Sequence, residues 1–369
     1  MRRSRATFIV IVQVILVLAH LVVYETWTAF ATPVDPPGVS GLAIAFGLLS
    51  ISFVVASLLA FRYYNLFVRV FYTLAAGWLG ILNFCFFGSF ACWIVYAGAS
   101  LAGLHWERRD IALVVFGIAV AAGLAGMANA SWIRVKSIRV RLPNLPEAWR
   151  GRVAAFVSDM HLGPVRGYGF SRRIVALLNR FKPDVVFMTG DIYDGTAADV
   201  KRFAQPFADF TAALGAYFVA GNHEEFAHRA QYLEAVRDSG VRVLESEKVT
   251  VEGVQIAGVP YHDLSTPERF QGALRQVDLK AGQPSVLLAH APNRLYEAEA
   301  AGVSLQLCGH THGGQFFPWN KVVSRIYGKF AYGLQELGAM KVYTTCGAGT
   351  WGPPVRLGTN PEVVLIHFE

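Results

Sequence analysis

The sequence predicts a helical membrane region followed by an α/β domain, and three observations support this fold class. Hydrophobic residues make up 54% of the 369 residues and charged residues only 16%, a composition that is unusual for a soluble protein. Long apolar stretches fill residues 1–130. From residue 151 onward, short apolar runs alternate with amphipathic segments, which is typical of the strands and helices of a layered α/β fold.

Four apolar stretches occupy the first third of the chain, at about residues 8–24, 39–61, 70–98 and 110–130. Each reaches the roughly 17–25 residues that a helix needs to cross a bilayer. A helix in a soluble core rarely stays apolar on all its faces over such a length. We therefore predict a transmembrane region of four helices, in which the proline-rich segment 32–38 forms a loop outside the membrane.

The distribution of Lys and Arg in the short loops predicts the orientation of these helices. Cationic residues precede the first span, separate the second from the third and follow the fourth: Arg2, Arg3, Arg5, Arg62, Arg69, Arg134, Lys136, Arg139 and Arg141. Arg108 and Arg109 follow the third span and argue weakly for the opposite orientation. Because cytoplasmic loops are enriched in Lys and Arg, we expect a multi-pass protein of the inner or plasma membrane, if bacterial, with its catalytic domain in the cytoplasm.

Residues 131–150 are predicted to connect the membrane region to a domain at 151–369. Their imperfect alternation of apolar and cationic residues favours an edge strand. Later apolar runs predict strands at 153–157, 185–188, 216–220, 241–244, 254–257, 285–288, 304–307 and 363–366. Amphipathic helices are expected at 171–181 and 227–239, and this alternation of strands with helices favours α/β layers.

Side chains that can bind metals follow five of these strands, just where each strand ends: Asp159, His161, Asp191, Asn222, His290, His310 and His312. In α/β sheets, ligands gather at that edge. Oxygen donors combined with imidazole nitrogens suit Mn, Fe or Zn better than Ca. Because burying these side chains together without a cation would carry a severe desolvation cost, the pattern predicts a metal site.

The residues around these positions resemble the calcineurin-like metallophosphoesterases. Five blocks occur in the order typical of that family: Ser-Asp-Met-His-Leu-Gly at 158–163, Gly-Asp-Ile-Tyr-Asp at 190–194, Gly-Asn-His-Glu at 221–224, Leu-Ala-His-Ala-Pro at 288–292 and Gly-His-Thr-His-Gly-Gly-Gln at 309–315. The resemblance covers residues 131–369. The closing Gly-Gly-Gln and the preceding apolar segments are similar to the membrane-associated branch of YkuE-type and YaeI-type phosphodiesterases.

This resemblance implies a four-layer α-β-β-α sandwich and a role for each matching residue. Two divalent metal ions are implied, the first bound by Asp159, His161 and His312 and the second by Asn222, His290 and His310, with Asp191 bridging them. His223 would face the substrate as the catalytic residue, polarising the phosphate or protonating the leaving oxygen. Asp194 would orient a ligand or serve a structural hydrogen bond, whereas Glu224 is expected to be a solvated residue at a helix start.

The implied function is a membrane-anchored, metal-dependent phosphoric ester hydrolase that cleaves phosphodiester or pyrophosphate bonds by metal-activated water. Lipid-linked substrates fit an enzyme held at the bilayer. Two alternatives remain open, a lipid enzyme of the UDP-2,3-diacylglucosamine pyrophosphatase type and a non-catalytic metal-binding membrane signalling protein. No nucleic-acid polymer is expected as a partner, because the sequence has no basic run with interleaved aromatic residues.

Weaker signals follow the last block. Aromatic residues stand next to cationic ones between 316 and 329, namely Phe316, Phe317, Trp319, Lys321, Arg325 and Lys329. Such a segment suits an acyl chain or sugar beside a phosphate, contact with a membrane surface, or an ordinary surface loop. Arg356, His262 and Asp263 are further candidates for the lining of the site.

Overall fold

The computed structural model describes residues 2–31, 41–226 and 228–369, with side chains from residue 6 onward. The chain forms two compact units. One contains the residues up to Ala128 together with Gly352–Leu357, and the other contains Asn129–Trp351 and Gly358–Glu369. The predicted loop at 32–38, the start of the second predicted span and the start of the helix predicted at 227 lie outside the described residues.

The helical unit contains four long helices within the described residues: α1 (Arg2–Ala31), α2 (Gly41–Arg62), α3 (Leu66–Leu101) and α4 (Arg108–Ala130). All four are long and apolar enough to cross a membrane. The 36 residues of α3 extend over about 54 Å at the rise of an α-helix, so α3 exceeds a bilayer core. Asn65 caps α3, because its side chain accepts a hydrogen bond of 2.9 Å from the N–H of Val68.

Small residues and polar side chains join the helices of this unit. Gln13 of α1 donates a hydrogen bond of 2.9 Å to the Ser50 carbonyl of α2. The Trp78 indole of α3 donates one of 2.8 Å to Nε2 of His20 in α1. A Cβ added to Gly123 of α4 would lie 3.3 Å from Cα of Ile81. Such close approach and interhelical hydrogen bonding are the interactions available to helices in lipid.

The second unit is built on twelve strands within the described residues. These are β1 (Arg134–Val140), β2 (Val153–Val157), β3 (Val185–Thr189), β4 (Ala216–Val219), β5 (Arg242–Val243), β6 (Glu247–Val251), β7 (Val254–Val259), β8 (Ser285–Ala289), β9 (Leu305–Cys308), β10 (Gly333–Leu337), β11 (Met340–Thr344) and β12 (Glu362–Phe368). They form two six-stranded sheets, ordered β1-β12-β2-β3-β4-β5 and β10-β11-β9-β8-β7-β6. The β2–β3–β4 and β7–β8–β9 runs are parallel, so their carboxyl ends lie at one edge of each sheet.

Six helices accompany the two sheets within the described residues. They are α5 (Tyr168–Asn179), α6 (Val200–Ala204), α7 (Arg229–Asp238), α8 (Pro267–Val277), α9 (Leu295–Ala300) and α10 (Trp319–Tyr327). The sheets pack face to face through one buried cluster that draws on both, including Phe156, Phe187, Ile256, Val286, Leu305 and Tyr343. A second cluster joins Phe270 of α8 and Leu295 of α9 to Leu287 of β8. This layering confirms the predicted α-β-β-α sandwich.

Candidate metal centre

The seven candidate ligand residues lie on loops that follow the carboxyl ends of β2, β3, β4, β8 and β9. Asp159 and His290 are fully buried, and His161 and Asp191 are 2% exposed. Five residues of the set adopt a positive φ between 49° and 69°: Asp159, His161, Asp191, His310 and His312. Non-glycine residues rarely adopt this conformation, and its concentration at one sheet edge is typical of a functional site.

Three residues form the first ligand group. Nε2 of His161 lies 3.0 Å from Nε2 of His312. The same His312 nitrogen lies 3.4 Å from Oδ1 of Asp159. These atoms converge from loops that are about 150 residues apart in sequence and could bind one metal ion together.

A second ligand group consists of Asn222, His290 and His310. Oδ1 of Asn222 lies 3.1 Å from Nε2 of His290 and 2.9 Å from Nδ1 of His310. The two imidazole nitrogens lie 3.3 Å apart. An amide oxygen and two ring nitrogens therefore point at a common centre, as the ligands of a second ion would.

Asp191 lies between the two groups. Its Oδ2 is 3.1 Å from Nε2 of His290 in one group and 3.9 Å from Nε2 of His161 in the other. Its Oδ1 instead accepts a hydrogen bond of 2.9 Å from the N–H of His223. One carboxylate oxygen is thus left to face both groups, which is the position of a bridging ligand in two-metal sites.

The hydrogen bonds of His290 show why a cation fits this centre. Nδ1 of His290 lies 2.6 Å from the Thr189 carbonyl, which can only accept, so Nδ1 carries the proton. In the neutral ring, Nε2 then presents a lone pair to Asp191 Oδ2 and Asn222 Oδ1, which are also electron-rich. A positive charge among these atoms removes their mutual repulsion.

The electrostatics of the centre lead to the same conclusion. Burial acts to lower the pKa of His290, but the carboxylates of Asp191 and Asp159 outweigh burial and raise that pKa to about 10. The pKa of Asp191 lies well below its usual range, since the neighbouring histidines outweigh the effect of burial. The centre therefore favours a positive charge, and the donor set fits divalent metal ions that would compete with protons for it.

Glu224 is fully buried, and the expectation of a solvated residue is wrong. Its carboxylate accepts hydrogen bonds of 2.8, 2.8 and 3.0 Å from the N–H groups of Asp191, Gly221 and Tyr193. These donors belong to the two loops that carry Asp191 and Asn222. Glu224 thus joins both loops behind the ligands. Burial and, next, the charge of Asp191 raise the pKa of Glu224 to about 7.

His223 lies beside the first ligand group with a defined orientation. Its Nδ1 donates a hydrogen bond of 3.0 Å to the carbonyl of Asp194, which turns Nε2 to within 4.0 Å of Oδ2 of Asp191. The carboxylate of Asp194 lies 3.4 Å from Nδ1 of His161 and can orient that ring. Burial lowers the pKa of His223, which favours the loss of a proton from this imidazole.

The weaker candidates lie outside the two ligand groups. His262 pairs with Glu225 at 2.9 Å, and Asp263 accepts a hydrogen bond of 2.8 Å from Ser246. Arg356 belongs to the helical unit, where its N–H donates to the Gly126 carbonyl. The helix α10, by contrast, ends close to the centre, because the ring of Tyr327 lies 6.5 Å from that of His310.

Comparisons with known proteins agree with this geometry. Residues 153–314 match the family model described as calcineurin-like phosphoesterase. An uncharacterized metallophosphoesterase of Aquifex aeolicus is 33% identical over 261 residues, covering 68% of this chain and 98% of that protein. The metallophosphoesterase YkuE of Bacillus subtilis, also uncharacterized, is 26% identical over 284 residues, covering 71% of this chain and 98% of that protein.

The name of one relative indicates a membrane-spanning region in addition to the metallophosphoesterase domain. The transmembrane protein with metallophosphoesterase domain of Danio rerio is 28% identical over 296 residues, covering 74% of this chain and 65% of that protein. Several other curated relatives are likewise covered over only 58 to 63% of their length. Together with the four apolar helices, this likeness supports membrane association of the chain.

Proposed function

Because the chain belongs to the calcineurin-like metallophosphoesterase family, we propose that it hydrolyses phosphodiester or pyrophosphate bonds with water at a two-metal centre. Membership of this family implies a metal-dependent phosphoesterase. The observation that supports the dinuclear form is the position of Asp191, whose Oδ2 faces His290 at 3.1 Å and His161 at 3.9 Å. A single metal would not require one carboxylate oxygen to be shared between two ligand groups.

In this proposal Asp159, His161 and His312 would hold one ion, Asn222, His290 and His310 would hold the other, and Asp191 would contribute to both sites. The mixture of oxygen and imidazole donors favours Mn, Fe or Zn. When bound, such ions supply an acidified water and charge stabilisation for the phosphate oxygens. Asp194 orients His161, and Glu224 fixes the backbone of both ligand loops.

His223 is the proposed general acid. Because its Nδ1 is engaged with the Asp194 carbonyl, the proton that it can transfer resides on Nε2, on the side that faces the ligand groups. As the oxygen of water bonds to phosphorus, that water loses one proton to the solvent, the bond from phosphorus to the leaving oxygen breaks, and Nε2 of the imidazolium gives its proton to the leaving oxygen. The ring then regains a proton from the solvent.

The physiological substrate is proposed to be lipid-linked, with UDP-2,3-diacylglucosamine-type pyrophosphates as the candidate class. The support is the set of four apolar helices, because a membrane-anchored enzyme would meet acylated phosphates at the bilayer. The multi-pass topology with a cytoplasmic catalytic domain is likewise proposed from the positive-inside distribution of Lys and Arg.

The test compares hydrolysis of bis-p-nitrophenyl phosphate and p-nitrophenyl phosphate by the full-length protein in detergent with Mn, Zn, Fe or Mg. We expect metal-dependent activity on the diester. Removing a general acid typically costs about 10²–10⁴-fold in rate, so His223→Ala should retain bound metal but lose at least about 100-fold in kcat. Asp191→Asn should lose both metal and activity. A protein that binds two metals but hydrolyses neither ester would instead support a non-catalytic role.

A further inference from the structure

Two large aromatic side chains flank His223, and we propose that they form a subsite for an acyl chain on the group that leaves from phosphorus. The ring centroid of Phe226 lies 4.5 Å from that of His223, and the ring centroid of Trp351 lies 6.1 Å from it. Phe226 is 46% exposed and Trp351 59% exposed, whereas His223 is 5% exposed. The inference rests on the proposed function, in which His223 protonates the leaving oxygen.

Both rings belong to segments that are fixed to the catalytic loops. Gly195 has a φ of +76°, and a Cβ there would lie 3.0 Å from Cδ2 of Phe226 and 3.3 Å from the His223 carbonyl oxygen. Glycine at position 195 therefore lets Phe226 pack closely here, because a larger residue would be strained at this φ and crowded against the ring. The backbone of Trp351 makes two hydrogen bonds to the Gln315 side chain, of 2.8 and 3.0 Å. Gln315 closes the block that contains His310 and His312, so Trp351 is positioned by the metal-binding loop.

Single exposed aromatic residues are common on protein surfaces and need no functional explanation. Here, however, two of them lie against one imidazole at the edge of a buried polar centre. Their rings offer apolar contact area beside the proposed general acid, whose Nδ1 is engaged with the Asp194 carbonyl. Apolar area beside a general acid favours substrates whose leaving group carries a hydrophobic portion.

The surface of α10 favours an acyl chain over a flat nucleobase. Trp319, Val322 and Ile326 are 48%, 45% and 67% exposed and recur at the spacing of one helix face. Lys321 and Arg325 are also exposed on this short helix and complement a phosphate. The start of α10 packs on Gly314, where a Cβ would lie 2.4 Å from Cα of Asn320. An elongated apolar strip with flanking cations matches an acylated phosphate.

The experiment measures how binding depends on alkyl chain length. Full-length protein in detergent, loaded with Mn²⁺, is titrated by calorimetry with methyl-, propyl- and hexylphosphonate. Since each methylene removed from water strengthens binding by about two- to fourfold, hexylphosphonate should bind at least about 30-fold more tightly than methylphosphonate. In Trp351→Ala and in Phe226→Ala this ratio should fall to about fivefold or less, with methylphosphonate affinity and melting temperature nearly unchanged.

Phe181→Ala is the matched control. Phe181 is 41% exposed and follows α5, in the loop that enters β3 at the amino edge of the sheet, opposite the metal centre. The Phe181→Ala variant should retain the full dependence of binding affinity on alkyl chain length. The proposal is overturned if both subsite variants keep that dependence, if the parent protein shows none, or if phenylphosphonate binds more tightly than hexylphosphonate.

The outcome also separates this inference from the proposed function. Graded binding of alkylphosphonates without hydrolysis of bis-p-nitrophenyl phosphate would leave the subsite standing and contradict the enzymatic proposal. Hydrolysis without any effect of chain length would contradict the subsite alone.

Discussion

At the scale of single residues, three backbone N–H groups converge on the buried carboxylate of Glu224. Two of the donors belong to Asp191 and to Gly221, which precedes Asn222, so the carboxylate connects the loop of the proposed bridging residue to the loop of a proposed ligand of the second group. A buried acceptor with three short hydrogen bonds is costly to replace, because each donor that loses its partner stays unsatisfied. We therefore assign to Glu224 the positioning of both loops.

Replacement of Glu224 by Gln should test this assignment. The amide keeps the shape but puts an NH₂ group where a carboxylate oxygen accepted hydrogen bonds, so at least one backbone donor is left without an acceptor. We expect a loss of about 1–3 kcal/mol in the free energy of unfolding and about 10- to 100-fold weaker metal binding. Calorimetric titration with Mn²⁺ and thermal melts measure both quantities.

Glu225→Gln is the control for that variant, since Glu225 pairs with His262 outside the ligand groups. It should bind metal as the parent protein does. Equal metal affinity of the two variants would show that Glu224 has no special role in holding the ligand loops.

At the scale of elements, close packing in the helical unit depends on glycine. Val355, in the segment Gly352–Leu357, fits between Gly80 of α3 and Gly126 of α4, where added Cβ atoms would lie 2.5 and 2.6 Å from its methyl groups. Val355 is itself fully buried. The neighbouring Arg356 N–H donates a hydrogen bond of 2.9 Å to the Gly126 carbonyl. This segment is thus a packed part of the helical unit although it is distant from the helices in sequence.

A larger residue at Gly126 should disrupt this packing. Gly126→Leu should destabilise the full-length protein in detergent by about 1–3 kcal/mol, because overpacking forces neighbouring side chains and backbone to shift. Gly117→Leu is the matched control in the same helix, as nothing lies within 4 Å of a Cβ at Gly117. Thermal unfolding measures the difference, and Val355→Ala should partly rescue the Gly126 variant. Equal stabilities of the two leucine variants would contradict the role of this contact.

The predicted elements agree with the observed ones where the signal is local. The helix expected at 171–181 is α5 at Tyr168–Asn179, and the strand expected at 304–307 is β9 at Leu305–Cys308. The sequence did not indicate β6, β10 or β11, which lie at or near the edge of the second sheet. The residues of β6 and β10 are partly exposed and weakly patterned, and β11 is a mostly buried strand of five residues without clear alternation. Pairing with neighbouring strands, rather than periodicity, therefore defines them.

At the scale of the whole molecule, metal binding should be linked to stability. Seven polar side chains converge in a buried centre, and a ligand that binds only the folded state stabilises it. We expect chelation of the metal to lower the melting temperature of the full-length protein and Mn²⁺ to restore it. At a free Mn²⁺ concentration of about 100 times the dissociation constant, metal binding should raise the free energy of unfolding by about 2.7 kcal/mol.

Asp191→Asn provides the control for this linkage, because it removes the charge that faces both ligand groups. The variant should respond to Mn²⁺ much less than the parent protein. A melting temperature that is the same with and without metal in the parent protein would contradict the linkage.

The topology of the whole molecule can be tested with reporters at the carboxyl terminus. Because Lys and Arg concentrate at the predicted cytoplasmic ends of the spans, a green fluorescent protein fusion in a bacterial host should fluoresce, and an alkaline phosphatase fusion should be inactive. The reverse pattern would place the catalytic domain on the opposite side of the membrane and make Arg108 and Arg109 the dominant topology signal.

The sequence by itself determined the four apolar helices, the alternation of strands and helices, and the set of metal-ligand candidates. These features are encoded locally, in the length of apolar runs and in polar residues that directly follow strands. Tertiary structure decided the rest: the burial of Glu224, the tautomer of His290 set by Thr189, and the approach of Trp351 to His223. Each of those depends on contacts between segments far apart in the chain, and the pattern of nearby residues does not encode such contacts.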